Sequence, residues 1–325
     1  MPYFDLPLPQ LRAHVTETVE PAALDEFWSD TLGALGDVEL SARFEPVASP
    51  LAVVDTLDVT YAGFGGEPIR AWLHLPHGIG GPLPCVVEYM GYGDGRGLPH
   101  QQTFWASAGF AHLVMETRGQ GGMWSVGQTP DPNAGSPSFP GCVTRGILDP
   151  LDYYYRRVYV DALRAVEAAR AHPSVRADAV AVAGASQGGA LAIAVAALRS
   201  DVIAAIPEVP FLCDVRRGTE LAADGPYCEL SGYLKAHRDR VEDVFRTLGF
   251  FDLAVLGSRA SAPALFSVGL MDSVCPPSTV FAAYNAYGGP KRIDEYPFND
   301  HEGGGEFHQV EKVAWLRALL ESTSG

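Results

Sequence analysis

Ten residues, Ala181-Val182-Ala183-Gly184-Ala185-Ser186-Gln187-Gly188-Gly189-Ala190, constrain this chain more than any other stretch. The apolar run 180–183 reads as a buried strand, and the alanine-rich run 190–198 reads as a helix. Between them stands G-x-S-x-G, which is common in ordinary turns. In a strand-turn-helix setting, however, it makes a strained bend that exposes its serine. Gly184 and Gly188 suit such a bend, because a side chain at either position would crowd the neighbouring strand and helix. Ser186 is therefore the candidate nucleophile.

The same alternation recurs along the chain. Apolar runs at 85–89, 110–115, 180–183, 203–206 and 264–268 read as strands of a mostly parallel sheet. Tyr159, Ala162, Leu163, Val166 and Ala169 mark one amphipathic helix, and Val310, Val313, Leu316 and Leu320 mark a C-terminal one; both are expected to cover the sheet. Ahead of them, Leu57, Val59 and Tyr61 and then Ile69, Ala71, Leu73 and Leu75 alternate on two strands joined through 63–66, an antiparallel start. An N-terminal helical extension (about 1–36) has its helix opening at Pro21 and closing at Gly36. Residues 207–256 interrupt the alternation with polar, helix-like sequence at 232–248, expected as an insertion over the active-site edge. Residues 128–152, rich in proline, glycine and serine, are expected as a long loop. With 325 residues, 47% of them hydrophobic, the chain can bury the core of one large α/β domain carrying this insertion.

A net charge of −16 argues against a nucleic-acid partner. Residues 1–36 carry Asp5, Arg12, Glu17, Glu20, Asp25, Glu26 and Asp30 without an apolar leader-like run, and no stretch is apolar enough to span a bilayer. A cytoplasmic protein without a membrane partner is expected. Cys85, Cys142, Cys213, Cys228 and Cys275 lack metal-like spacing, and their odd number fits reduced, packed thiols.

A serine hydroxyl needs a general base to remove its proton, and a carboxylate must hold that base in the right tautomer. In folds with this elbow the order is Ser, then Asp or Glu, then His, the last two on loops after later strands. Asp272 follows the run 264–269 across a short turn, and His301 follows the run 292–296 in the loop 299–305. Asp294 would sit within a strand, Asp252 in the insertion, and Asp300 too close to His301 in sequence to orient it easily. His308 belongs on the C-terminal helix, and His100 and His112 precede Ser186. Asp272 and His301 are favoured.

Stabilising the negative oxygen of a tetrahedral intermediate takes two donors. One is the backbone N–H of Gln187, the residue after the nucleophile; the other is expected from the glycine-rich loop 91–97. That loop alone does not choose among Gly91, Tyr92 and Gly93. Its spacing lacks a full G-x-G-x-x-G, which speaks against a dinucleotide, and His301-Glu302 lacks the second histidine of a zinc-protease motif.

Arg118-Gly119-Gln120-Gly121, Gly184-Ala185-Ser186-Gln187-Gly188-Gly189 and His301-Glu302 occur in this order. With Gly146-Ile147-Leu148-Asp149-Pro150, Tyr153-Tyr154-Tyr155-Arg156-Arg157, Val209-Pro210-Phe211-Leu212-Cys213 and the segment 267–272, they make the chain resemble, nearly end to end, the acetyl xylan esterase and cephalosporin-C deacetylase family of carbohydrate esterases. The resemblance implies an α/β-hydrolase fold and Ser186, Asp272 and His301 as the triad. It also implies the backbone amides of Tyr92 and Gln187 as the oxyanion hole, no cofactor or metal, and a cytoplasmic homohexamer built as a trimer of dimers. Glu116 before R-G-Q-G, Ala185, and Gly93-Asp94 depart from the family pattern, and Arg118 is read as a structural anchor. The expected activity is hydrolysis of acetyl esters of sugars, or of cephalosporin C, through an acyl-serine. A prolyl oligopeptidase-type peptidase, a general short-chain carboxylesterase and a non-catalytic binding protein on the same fold are the alternatives.

Overall fold

In the computed structural model, which describes residues 3–323 apart from 37, 133–134 and 139, the apolar runs become strands. They are β1 (Arg43–Val47), β2 (Val54–Ala62), β3 (Pro68–Pro76), β4 (Leu83–Tyr89), β5 (Ala111–Met115), β6 (Val175–Ala185), β7 (Ala204–Glu208), β8 (Ala264–Gly269) and β9 (Lys291–Tyr296). One sheet contains all nine, in the order β1-β2-β3-β5-β4-β6-β7-β8-β9. β1 to β3 pair antiparallel, β3 also with β5, and β4 to β9 run parallel. β1 lacked a sequence signal: its charges and Pro46 suit an exposed edge rather than a buried core.

From β4 the chain steps to β5 on one side, then crosses back to β6 on the other, so β4 and β6 flank a reversal of winding direction. In open α/β sheets ligands bind at such a reversal, beyond the carboxyl ends of the strands. The loop after β4 and the G-x-S-x-G turn after β6 both lie there.

Alternation along the central strands separates two cores. Cys85, Val87, Tyr89, Val180 and Val182 face one cluster with the helices Tyr154–Ala171 and Gln187–Leu198. Val86, Ala181, Ala183, Ala204 and Ile206 face a smaller one with Trp105 and with Val313 and Leu316 of the C-terminal helix Gly305–Thr323. The two expected covering helices thus lie on opposite faces. The N-terminal helix, Leu24–Gly33, is shorter than its pattern: Pro21 closes the preceding turn by accepting from Leu24 N. It docks through Trp28, which stacks on Tyr159 at 5.6 Å and donates from Nε1 to the Phe250 carbonyl at 3.0 Å.

Between β7 and β8 the chain forms the helices Val215–Leu221, Pro226–Ala236, Val241–Leu248 and Leu253–Leu256, so the single helix-like run expected at 232–248 is broken at His237. Asp252 ties this group together by accepting from Asp214 N, Val215 N and Ala254 N. Residues 116–153 contain no helix or named strand among the described residues. Two buried acids hold that long segment. Glu116 accepts from Gln128 N and from the Thr129 hydroxyl, and Asp131 accepts from Arg145 and Arg157. Arg118 grips Asp161 through two hydrogen bonds of 2.6 and 2.8 Å and also meets Glu67, joining the β2–β3 connection to the helix Tyr154–Ala171. That is the anchoring role read from its position.

Candidate active site

Ser186 directly follows β6 with φ 57° and ψ −118°, a backbone conformation that L-residues hold only where surrounding structure enforces it. A Cβ on Gly188 would lie 2.0 Å from the Tyr89 carbonyl, and one on Gly184 2.5 Å from Gly188, so both flanking glycines are sterically required. β7 braces the bend: Ser186 N donates to Glu208 O, and Phe211 N donates to Ser186 O. The bracing segment holds Val209, Leu212 and Asp214 at positive φ, a second concentration of strain beside the first.

Asp272 is fully buried in the loop after β8. Its Oδ1 accepts from Val274 N and Cys275 N at 2.8 Å each, and its Oδ2 lies 2.8 Å from His301 Nδ1. With no donor available on the carboxylate, the proton of this pair sits on Nδ1, which leaves Nε2 as the basic nitrogen. Gly303, Gly304 and Gly305, all at positive φ, turn the His301 loop into the C-terminal helix. Ser186 and His301 line one cavity of about 660 Å³, without a direct hydrogen bond between them. Such contacts commonly tighten only when substrate binds. The Cys275 thiol touches the Ser186 hydroxyl and is pushed well up by burial.

The rival candidates are occupied elsewhere. Asp294 lies in β9 paired with Arg292, and Asp300 accepts from Ser273 N. His308 is buried on the C-terminal helix against the Tyr296 hydroxyl, and burial pushes it down to about 4. His112 is buried on β5 beside Glu88, and His100 is exposed in a turn.

Behind the elbow lies a buried network of side-chain amides. Gln187 and Gln120 bond reciprocally, Nε2 of each to Oε1 of the other, at 3.2 and 2.8 Å. Gln187 Oε1 also accepts from the Tyr155 hydroxyl, and Gln187 Nε2 donates to the Met90 carbonyl. Gln120 Nε2 donates to the Tyr154 hydroxyl, and Gln120 Oε1 accepts from Gly93 N at 2.8 Å. Gly93, one of three possible oxyanion donors, therefore has its N–H engaged by Gln120. The R-G-Q-G and Tyr-Tyr-Tyr signatures converge on this point.

The opposite character marks the cavity's outer wall. Trp124 is 73% exposed and Met123 45%. Glu88, Asp94, Asp224 and Glu229 contribute four carboxylates to the lining, which includes no Lys or Arg. Burial raises Asp94 to about 6 against the hydrogen bond from Ser125, and burial likewise raises Glu229. Glu229 and Trp124 had no sequence signal, and Asp94 was marked only as part of the Gly93-Asp94 departure in the glycine-rich loop. Gln120 stood in a quoted signature without an assigned role. No group of three or more His, Cys, Asp or Glu arranged to hold a metal ion occurs among the described residues.

A model of the acetyl xylan esterase (AXE1) family matches residues 1–319. Acetyl esterase Axe7A of Xylanibacter ruminicola is 29% identical over 319 residues, covering 94% of this chain and 68% of its own. The acetyl xylan esterase structure from Paenibacillus sp. R4 is 40% identical with a TM-score of 0.89, over 96% of this chain and 99% of that one. Acetyl xylan esterase 1 from Thermoanaerobacterium sp. JW/SL YS485 is 32% identical with a TM-score of 0.85, over 97% and 99%. The acylaminoacyl peptidase of Pyrococcus horikoshii, 15% identical with a TM-score of 0.58 over 90% of this chain and 43% of its own, shares the fold alone. A family match over nearly the whole length, on an α/β-hydrolase sheet with the elbow at its reversal point, means that the chain belongs to the acetyl xylan esterase family and is a carboxylic ester hydrolase.

Proposed function

We propose that the protein removes acetyl groups from acetylated sugars such as xylo-oligosaccharides through an acyl-serine intermediate. The observation that carries this reading is that Ser186, on its strained turn, and His301, hydrogen-bonded to buried Asp272, line one cavity. Ser186 Oγ attacks the acetyl carbonyl while His301 Nε2 takes its proton, and Asp272 stabilises the imidazolium. The N–H groups of Gln187 and Tyr92 receive the oxyanion. His301 then protonates the departing sugar oxygen and activates the water that releases acetate.

The lining favours neutral leaving groups, because four carboxylates in a lining that holds no Lys or Arg make the cavity electronegative towards an anion. Cephalosporin C, which carries carboxylates, is on this reading a slower substrate than a neutral sugar acetate. The same family resemblance supports a cytoplasmic homohexamer, and the free cysteines are compatible with a reducing compartment. No helix among the described residues is long and apolar enough to cross a membrane. Light scattering tests the assembly.

Ser186→Ala tests the chemistry. Acetate release is expected to fall by on the order of 10⁴-fold or more with the melting temperature nearly unchanged. A fluorophosphonate should label wild type at Ser186 and leave the variant unlabelled. Acetate release at the wild-type rate from the variant would overturn the assignment.

A further inference from the structure

Tyr92 contributes to the proposed oxyanion hole through its backbone, yet its side chain has a separate task. The ring is buried, and its hydroxyl lies 2.9 and 3.0 Å from the two carboxylate oxygens of Glu229. The same hydroxyl accepts from Cys142 N at 3.0 Å and from Val143 N at 3.4 Å. A phenol has one donor and two acceptor sites, and all three are used. Glu229 Oε2 further accepts from Gly141 N at 3.0 Å.

Three segments distant in sequence therefore meet at one hydroxyl. They are the loop after β4, the long segment 116–153, and the helix Pro226–Ala236, on which Glu229 stands. The loop after β4 has no helix or strand around Tyr92, and its own backbone holds the peptide unit by a single turn bond of 3.2 Å from Asp94 N to Gly91 O. Gln120 secures it at Gly93 N from the sheet side, and the Tyr92–Glu229 pair secures it from the side of the helix Pro226–Ala236. Transition-state stabilisation by a fixed donor depends on the donor being in place before charge develops, since any reorganisation at that moment raises the barrier.

We propose that Glu229 is a positioning residue that acts through the Tyr92 hydroxyl to fix the peptide unit donating to the oxyanion. The proposal rests on the reading of Tyr92 N–H as an oxyanion donor. Glu229 touches no reacting atom in this scheme; it keeps a donor from drifting. It also makes the segment between β7 and β8 part of the catalytic apparatus, because the helix lining the cavity holds the oxyanion loop.

Glu229→Ala, Glu229→Gln, Tyr92→Phe and the double variant Tyr92→Phe/Glu229→Ala test this with p-nitrophenyl acetate, alongside Ser186→Ala. For Glu229→Ala and for Tyr92→Phe, kcat is expected to fall about 10- to 30-fold with KM changed less than about 2-fold, since a displaced donor weakens only transition-state binding. The double variant should be no slower than the worse single one, because both remove the same interaction. Glu229→Gln keeps one acceptor oxygen and should recover part of the loss. Fluorophosphonate inactivation, which develops charge on an oxygen in the same hole, should slow in step with kcat.

Wild-type kcat in Glu229→Ala and Tyr92→Phe, a fall in melting temperature with kcat preserved, or losses that multiply in the double variant would each overturn the proposal. If Glu229→Ala fails to fold, Glu229→Gln decides: a kcat loss of about 3-fold or more at unchanged melting temperature supports the role, and wild-type kcat refutes it. Esterase turnover surviving in Ser186→Ala would instead bring down the underlying reading, and the proposal with it.

Discussion

The inner and outer walls of the cavity are built on different principles. The inner wall, from the elbow to the Gln120–Gln187 pair, is buried and held by a hydrogen-bond network that reaches β4, β7 and the helix Tyr154–Ala171. On the outer wall Trp124 and Met123 stand in solvent, and the Asp94 carboxylate is held by Ser125 alone, through its hydroxyl and its backbone. Chemistry demands groups held to fractions of an ångström, and the proposed reaction uses the side that cannot relax. On the proposed function, recognition of a sugar, which tolerates more play, falls to the side that can. Variants that exchange these roles would break the contrast.

The largest expected effect is at Asp272, where Asp272→Asn keeps the shape but places an amide against the histidine and disturbs its tautomer. Acetate release should fall by on the order of 10⁴-fold. Next comes Gln120→Leu, which leaves Gly93 N and Gln187 Oε1 each short of a partner in a buried interior. Unfolding in urea should show a loss of about 2 to 4 kcal/mol, and kcat should drop about 10- to 100-fold. If both stay at wild-type values, the inner wall is not held by this network.

Trp124→Ala should act on recognition alone. Removing an exposed indole that a sugar would cover costs about 1 to 2 kcal/mol of binding, so KM for an acetylated xylo-oligosaccharide should rise about 5- to 30-fold. KM for p-nitrophenyl acetate should stay within about 2-fold of wild type; an equal rise for both esters would place Trp124 in the chemistry instead.

The smallest effect concerns Asp94. Burial raises its carboxyl from the ordinary 3.8 to about 6, so the folded protein binds this proton more tightly than the unfolded chain does. The sign follows: stability from this group is greatest below pH 4, declines between about pH 4 and 6, and remains lower above. Asp94→Asn removes that decline. Its unfolding free energy minus that of wild type should rise across this interval and level off above about pH 7. A difference that does not vary with pH would show that Asp94 titrates alike in both states.

Sequence reasoning reached the inner wall well and the outer wall hardly at all. Ser186, Asp272 and His301 were legible because each stands in a fixed relation to a strand whose apolar run is itself legible. Gly184 and Gly188 were legible from steric demand at a bend, which the contacts at Tyr89 and Gly188 bear out. β1 escaped notice because an edge strand with charges and a proline carries no burial pattern. Trp124 escaped notice because an irregular segment has no period to read, and Asp94 was noticed only as a departure in the glycine-rich loop, without a role. Nothing in the residues around Glu229 distinguishes it from any other acid on a helix.

The sequence alone determined where the chain bends and which side chain the bend presents, since turn sterics and the period of burial involve only residues adjacent in the chain. The tertiary structure decided which groups meet. Asp272 reaches His301 across 29 positions through the parallel pairing of β8 with β9, and Tyr92 reaches Glu229 across 137 through the folding of the segment between β7 and β8. Hydrogen bonds of that span depend on the packing of whole elements, and no local pattern encodes it.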